Sequence, residues 1–575
     1  MQHRALLLVR TAAALALAAV GWTGWLVYQV STDLTAAQGL IVHLQGDLLK
    51  PAGTVDLPTT LARIEQRTDQ AGNRTQSPFW SAAEHLPVLG GSFRAVRRTA
   101  RTAQLLGDEA LPQAVAALDL VHRGQPIHGG RVDLALLGKL GTPLARAAQA
   151  VDDAQALLAP RDSFVIGPVE TRVATTRTQL ARLDAGLRAA VTTLHQAPAL
   201  LGANGPRRYF VAVQNNAEAR ATGGLVGGFA IVTADQGQIT LEQSGIDSQL
   251  KGTKTAVASD SEAAGTWLTI GSTVAWQDAN LTPHVPDAAR NLAGLWAAQG
   301  GQPVDGVIAL DPLVMSELLK ASGGVHLPDG TSITAANVVD FVGRDEYTRY
   351  HGKDNGKRKM LLAALADNLF HAVVAARDPV RTLAAAARAG ASGHLFVWSA
   401  DPTEEAALAA SLVGGALPRK DTPYLQVLTQ NFGGNKLDFY LRRTVRVTRA
   451  ADGLLRVQVT LRNTVPTGLP SIVAGRADLP DPPLPYGQNR LGFSVYGALS
   501  TAVRDVQIDG KPAPMAFDRD HGHQMGTLSL ELPREQDVVV TLLVTEPAGD
   551  LVYRQQPLMV PDTLEIEVPH VVLGR

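Results

Sequence analysis

From Thr11 to Val30 the chain carries no charged residue. About 20 such residues, as a helix, span a hydrocarbon core. Arg4 and Arg10 precede the run and Asp33 is the first charge after it. The positive-inside rule then leaves residues 1–10 in the cytoplasm and sends the rest across. Trp22, Trp25 and Tyr28 fall at the far end, where amphipathic rings favour the membrane interface. The pattern predicts one retained anchor, Thr11–Val30, in the cell membrane, with the bulk of the chain extracytoplasmic. Two other readings compete. A cleaved signal peptide has a shorter apolar stretch and a small-x-small cleavage site, where this chain has aromatic residues. A buried soluble helix gives the basic head and the aromatic end no role.

After the anchor, residues 31–200 read as helical. Thr176, Leu180, Leu183, Leu187, Ala190 and Leu194 recur at alternating four- and three-residue steps, an apolar seam on one helix. Pro51, Pro58, Pro87, Gly90-Gly91, Pro112 and Pro126 divide the earlier part into hairpins. The plain expectation is a helical stalk or bundle without chemistry; the functional one is a spacer or dimerisation arm.

Near Gly205 the texture changes. Arg208–Val213, Leu225–Thr233, Gln238–Leu241, Val304–Ala309 and His394–Trp398 read as strands, with Asp235-Gln236-Gly237 as a hairpin turn. Helices are predicted over Pro312–Ser322, Ala335–Val342 and from Lys357 to about Ala376. Interleaved strands and helices give an α/β domain over 201–435. From Lys436 onward period-two alternation dominates, as in Leu455–Leu461 after the Asp452-Gly453 turn, and predicts an antiparallel β-sandwich over 436–575.

Composition narrows the chemistry. At 575 residues the chain is expected to hold two to four domains, and 45% hydrophobic residues suffice for packed cores. A net charge of -1 gives no whole-chain attraction to nucleic acid. The absence of cysteine excludes disulfides, thiolate metal sites and cysteine nucleophiles. No metalloprotease, nucleotide-loop or serine-hydrolase motif occurs, and the 14 histidines are scattered without zinc spacing.

Three segments carry candidate chemistry. In Gln214–Gly228, the polar groups of Asn215, Asn216, Glu218 and Arg220 follow a strand, where α/β sheets place ligands, and Arg220 suits a bidentate phosphate or carboxylate clamp. The alternative is a strand-turn-strand in which Glu218 and Arg220 pair structurally. In Gln277–Asp287, Asp278, Asn280 and His284 offer ligands to a hard cation such as magnesium, or are ordinary turn formers. The basic run holding Arg344, Arg349, Lys357 and Arg358 opens a helix, whose positive dipole end favours an anion, or is a solvated surface.

The run Gln214–Gly224, with Leu86–Gly91, Val304–Pro312 and Asn435–Arg443, resembles a bacterial family catalogued as domain of unknown function four thousand and twelve. The resemblance implies a membrane-anchored protein of the bacterial, often actinobacterial, envelope. More distantly, the order of parts resembles the LytR-CpsA-Psr phosphotransferases, which move glycopolymers from polyprenyl-pyrophosphate carriers onto the cell wall. Their Asp-x-Gly-Arg-x-x-Arg pattern is matched by Asp354-Asn355-Gly356-Lys357, with Lys357 and Met360 at the arginine places and Arg358 as a nearby substitute. Lysine does not reproduce a planar guanidinium fork.

The expected protein is thus multidomain α+β: membrane helix, helical stalk or bundle, α/β domain similar to LytR-CpsA-Psr, and C-terminal β-sandwich. Its expected role is binding or assembling surface polysaccharide or its lipid-pyrophosphate carrier, with Arg220, Arg358 and Lys357 on the anion. The alternatives are a divergent phosphotransferase, with Asp247 or Asp278 holding magnesium, and a structural envelope protein.

Overall fold

Alanine and leucine at three- and four-residue spacing fold the first part of the chain into helices, and β-branched alternation folds the rest into sheets. The computed structural model describes residues 28–30, 32, 33, 35, 36, 40 and 57–574, apart from 125, 261, 377, 410, 412, 452, 480–485, 569 and 570. The predicted anchor lies outside the described residues except for Tyr28, Gln29 and Val30. Among the described residues, no helix is long and apolar enough to cross a membrane. The chain divides into two compact units: residues up to Pro126 with Ala135–His195, and Ile127–Leu134 with Gln196–Arg575.

The first unit is helical: α1 (Leu57–Arg74), α2 (Pro78–Ala83), α3 (Gly90–Leu105), α4 (Leu111–Arg123), α5 (Leu134–Leu158) and α6 (Gly167–Leu200), whose last turn belongs to the second unit. Ser77 caps α2 by accepting from the Trp80 N–H at 3.3 Å, with Pro78 at the first helical position. One core gathers Val30, Ala71, Trp80 and Ala100; another gathers Ala110, Val151, Ala154, Leu158 and Leu180. The apolar seam expected on α6 is only partly used: Leu180 is buried, Thr176, Leu187, Ala190 and Leu194 are half-buried, and Leu183 is exposed.

The second unit opens with a seven-stranded sheet. Its strands are β1 (Ile127–His128), β2 (Arg131–Val132), β3 (Arg207–Arg220), β4 (Gly223–Asp235), β5 (Gln238–Ile246), β6 (Gly306–Leu310) and β7 (Phe396–Ser399), in the order β1-β2-β5-β4-β3-β6-β7. β3 and β6 run parallel; the other pairs are antiparallel. The strand predicted over Arg208–Val213 runs on to Arg220, so the polar run after it is strand, with register shifts at Val213/Gln214 and Asn215/Ala219. The helices α7 (Val285–Ala298), α8 (Pro312–Ser322), α9 (Asn355–Val374) and α10 (Pro379–Ala391) follow. α8 has the predicted bounds because Asp311 accepts the Leu313 and Val314 N–H groups and Gly323 ends it at φ 88°. One core is aromatic (Phe210, Phe229, Trp276, Trp296); another, aliphatic in the main, holds Met315, Val342, Leu361 and Leu365.

The same unit closes with a β-sandwich of two six-stranded sheets. Its strands are β8 (Tyr424–Asn431), β9 (Leu441–Arg449), β10 (Leu455–Asn463), β11 (Asn489–Gly497), β12 (Val503–Ile508), β13 (Lys511–Pro512), β14 (Ala516–Asp520), β15 (His523–Leu532), β16 (Asp537–Val544), β17 (Leu551–Arg554), β18 (Thr563–Ile566) and β19 (Val571–Gly574). The sheet orders are β14-β15-β11-β8-β17-β19 and β13-β12-β16-β10-β9-β18. Leu425, Val427 and Phe493 from one sheet meet Val445, Val457 and Val459 from the other. Two expectations are corrected. The sandwich starts at Tyr424 rather than Lys436, and it is mixed rather than antiparallel, because β17, β18 and β19 alternate between the sheets and pair parallel with β8, β9 and β17.

Candidate functional site

The polar run on β3 is spent on holding the sheet to the sandwich. The Asn216 amide donates to Asp311 Oδ2 at 2.8 Å and to the Pro557 carbonyl at 2.7 Å. The Ala219 N–H donates to Asp438 Oδ2 at 2.8 Å, and Glu218 pairs with Lys436 and with Arg220. Arg220 donates to the carbonyls of Gln277 (2.8 Å), Ala219 and Asn431 (3.0 Å each). Its guanidinium is buried and committed, so the expected anion clamp at Arg220 is corrected to a structural joint. Buried polar groups must find such partners or cost heavily. Here the sandwich, 200 residues and more downstream, supplies several of them.

Beside this joint lies a cavity of about 260 Å³. β4 and β5 form one wall with Leu225, Gly227, Gly228 and Gly245; α9 forms the other with Asn355, Arg358, Lys359, Leu362, Ala363 and Ala366. On α9 these positions recur at three- and four-residue steps and so share one face. Met315, Val342 and Ile472 add apolar surface and Lys436 a further charge. A Cβ built on Gly227 meets nothing within 4 Å, so the hollow exists partly because that side chain is missing.

The lining carries three cations, Arg358, Lys359 and Lys436, against one carboxylate, Asp247. Lys359 reaches Asp247 at 2.9 Å. Arg358 lies over the Tyr347 ring at 4.5 Å and Lys436 over it at 5.5 Å, and Asn215 donates to the Tyr347 hydroxyl at 3.0 Å. Arg358 also donates to Asn355 Oδ1 at 2.9 Å and to Glu346 Oε1 at 3.1 Å. Gln214, which lines the cavity too, has its Nε2 without a partner.

Glu346 is buried, and its Oε2 has no hydrogen-bond partner. Burial pushes its carboxyl up to about 8 against the pull of Arg358. An exposed glutamate releases its proton near pH ~4.3. Between the two values the folded state binds the extra proton, so this group's stabilisation is full at low pH and is lost as pH rises through about 8. Glu346→Gln is therefore expected to raise the melting temperature above pH ~8, with the gain shrinking toward pH ~5; a gain independent of pH would contradict this.

Arg344, Arg349 and Lys357 do not join the cavity. Arg344 pairs with Asp345 (2.7 Å) and Asp340 (3.3 Å) and lies over Phe439; Arg349 is exposed; Lys357 is exposed and lies over Tyr350 at 4.9 Å. Of the basic run's four candidates only Arg358 turns inward, while Lys359 and Lys436 were missed. The two alternative magnesium candidates fall in different places: Asp247 lines the cavity and bonds Lys359, whereas Asp278 is not part of the lining, its carboxyl raised by burial against the pull of Arg220.

His284, Asp287 and His521 do come within ligand range of one another, the two rings stacked at 3.7 Å. The Leu417 N–H donates to His284 Nδ1 at 3.0 Å, which puts that ring's proton on Nε2, and burial lowers the ring's affinity for a second proton. For His521, burial is outweighed by Asp287 on Nε2 (2.8 Å) and Glu262 on Nδ1 (3.2 Å), which raise its affinity for the proton. His521 thereby ties the β14–β15 turn to Asp287 on α7 and to Glu262, while the Leu417 N–H occupies the Nδ1 lone pair of His284.

The fold and the cavity define a multidomain α+β protein with a pocket beside its central sheet that is lined by apolar residues and by three ion-paired cations. Residues 204–347 match the model of the family described as "Protein of unknown function (DUF4012)", the family that the Gln214–Gly224 run resembles. The match covers β3, β4, β5 and the sheet wall of the cavity but neither α9 nor the sandwich. No curated protein and no solved structure matches the chain.

Proposed function

We propose that this chain is an extracytoplasmic, membrane-anchored binding protein of the bacterial envelope whose cavity takes an anionic amphiphile of the lipid-pyrophosphate carrier class. The single observation that carries this reading is the cavity itself: an apolar hollow beneath Leu225, Met315, Val342, Leu362 and Ile472 whose lining also holds Arg358, Lys359 and Lys436. An uncharged ligand makes no use of the three cations, which stand in the lining paired with Asp247 (Lys359), Glu346 (Arg358) and Glu218 (Lys436), and a small inorganic anion leaves the hollow unfilled. At about 260 Å³ it has room for the part of an isoprenoid chain nearest the head group, and the remainder stays outside. The distant resemblance to LytR-CpsA-Psr proteins supports the same ligand class.

Farnesyl diphosphate, titrated calorimetrically into the full chain in nanodiscs, is the probe. It is expected to bind at least about tenfold more tightly than farnesol or inorganic pyrophosphate, because each lacks half of the recognition. Gly227→Leu, which grows into open space, is expected to abolish binding without loss of stability, and Lys359→Ala to weaken it about tenfold. Gly227→Leu binding like the parent would sink the assignment. Carrier phosphate release from a glycan-bearing substrate with magnesium would convert the binder into the transferase alternative.

A further inference from the structure

The helical unit ends in an apolar tip. Leu86, Val88 and Leu89 on the loop between α2 and α3, and Phe164 and Ile166 on the loop between α5 and α6, are all exposed, Val88 to 67% and Phe164 to 76%. The two loops are fastened together. The Ile166 N–H donates to Ser92 Oγ at 3.0 Å, Arg94 donates to Asp162 at 3.0 Å, and Gly91 lies so close to the Ser163 carbonyl that a Cβ there would come within 2.0 Å. This is a physical reason for Gly91 in the Leu86–Gly91 motif.

Both tips are also strained: Val88 has φ 68° and Phe164 φ 56°, a left-handed conformation that a β-branched residue rarely adopts. Such strain persists where the surroundings impose it, often at functional positions. Here its effect is to turn two large apolar side chains outward.

The charge-free run of the sequence, closed by Asp33, takes in Val30. Val30 is buried with Trp80 of α2 and Ala100 of α3, with Phe93 packed against them. Phe93 is the neighbour of Ser92, which holds the second loop. The end of the apolar run is thus packed in the same core as Phe93, one residue from the Ser92 that fastens the two loops, and Arg161, three residues before Phe164, is exposed.

We propose that these two loops form a second membrane contact, with Leu86, Val88, Leu89, Phe164 and Ile166 dipping into the interfacial layer of the bilayer that holds the apolar run beginning at Thr11. The inference rests on that anchoring reading. Side chains of this kind enter the headgroup–acyl boundary by about 5–10 Å and, with a nearby cation, favour anionic lipid.

The chain has no cysteine, so single labels are site-specific. Bimane is placed at Val88→Cys, Phe164→Cys and Ile166→Cys, with Gln179→Cys on α6 as an aqueous reference and Leu17→Cys reporting the anchor. The full chain is reconstituted in phosphatidylcholine–phosphatidylglycerol vesicles containing shallow doxyl lipid. Quenching of about twofold or more is expected at 88, 164 and 166 and none at 179. Quenching at 17 with none at the loops overturns the proposal and leaves the anchor standing. Quenching at the loops without quenching at 17 upholds the loop contact and removes the anchor. A lipid-independent blue shift at 88 that grows with protein density assigns the tip to a second copy and overturns the proposal.

Discussion

Arg220→Ala is expected to cost the second unit on the order of 3–5 kcal/mol in chemical denaturation, the range for removing one partner of a buried charge network. The guanidinium satisfies three buried carbonyls and faces Glu218. Its loss leaves those carbonyls unpaired and the carboxylate with Lys436 alone. Arg220→Lys is expected to recover only part of the loss, because an ammonium cannot reproduce the fork that reaches Gln277 and Asn431 together. A fully stable Arg220→Ala protein that had lost only farnesyl diphosphate binding would return Arg220 to an anion site.

The second large effect is expected in the sandwich. Arg443 and Asp562 form a bidentate pair at 2.6 and 2.9 Å with both side chains 0% exposed. Arg443→Met leaves Asp562 buried with the Tyr553 hydroxyl as its remaining hydrogen-bond donor and is expected to cost about 3–5 kcal/mol. Arg443→Met with Asp562→Leu is expected to recover more than half of that, because removing both charges removes the desolvation penalty. Urea denaturation of the parent, the single and the double variant reads the difference. A double variant as unstable as the single one would mean that the bonds from Arg443 to Thr429 and Gln556 matter more than its charge.

Local patterns carried most of the architecture. The bounds of α8 were legible because Asp311, Pro312 and Gly323 act on neighbouring backbone groups, and the β4–β5 hairpin was legible because Gln236 and Gly237 adopt left-handed φ together. What escaped was long-range. Polar residues beyond Val213 read as a loop because amides and charges rarely fill a strand, yet they pair with Asp438, Pro557 and other groups of the sandwich, which no local window contains. Parallel pairing of the last strands was hidden for the same reason.

The site was partly legible. Arg358 was found because it is one of a run of basic residues opening a helix. Lys359 was passed over although Asn355, Arg358, Lys359, Leu362, Ala363 and Ala366 share one helical face and Lys357 does not, a signal already present in the spacing. Lys436 had no such signal. It reaches the cavity from the sandwich side, and only the tertiary fold places it beside Tyr347.

The most direct measurement is photocrosslinking of the full chain with a prenyl diphosphate bearing a diazirine on its terminal isoprene, followed by peptide mass spectrometry. Label is predicted on Met315 and on the Leu362–Ala366 turn of α9, suppressed by Gly227→Leu. Label spread over other surfaces, or unaffected by Gly227→Leu, would contradict the assignment of the cavity to an anionic lipid carrier.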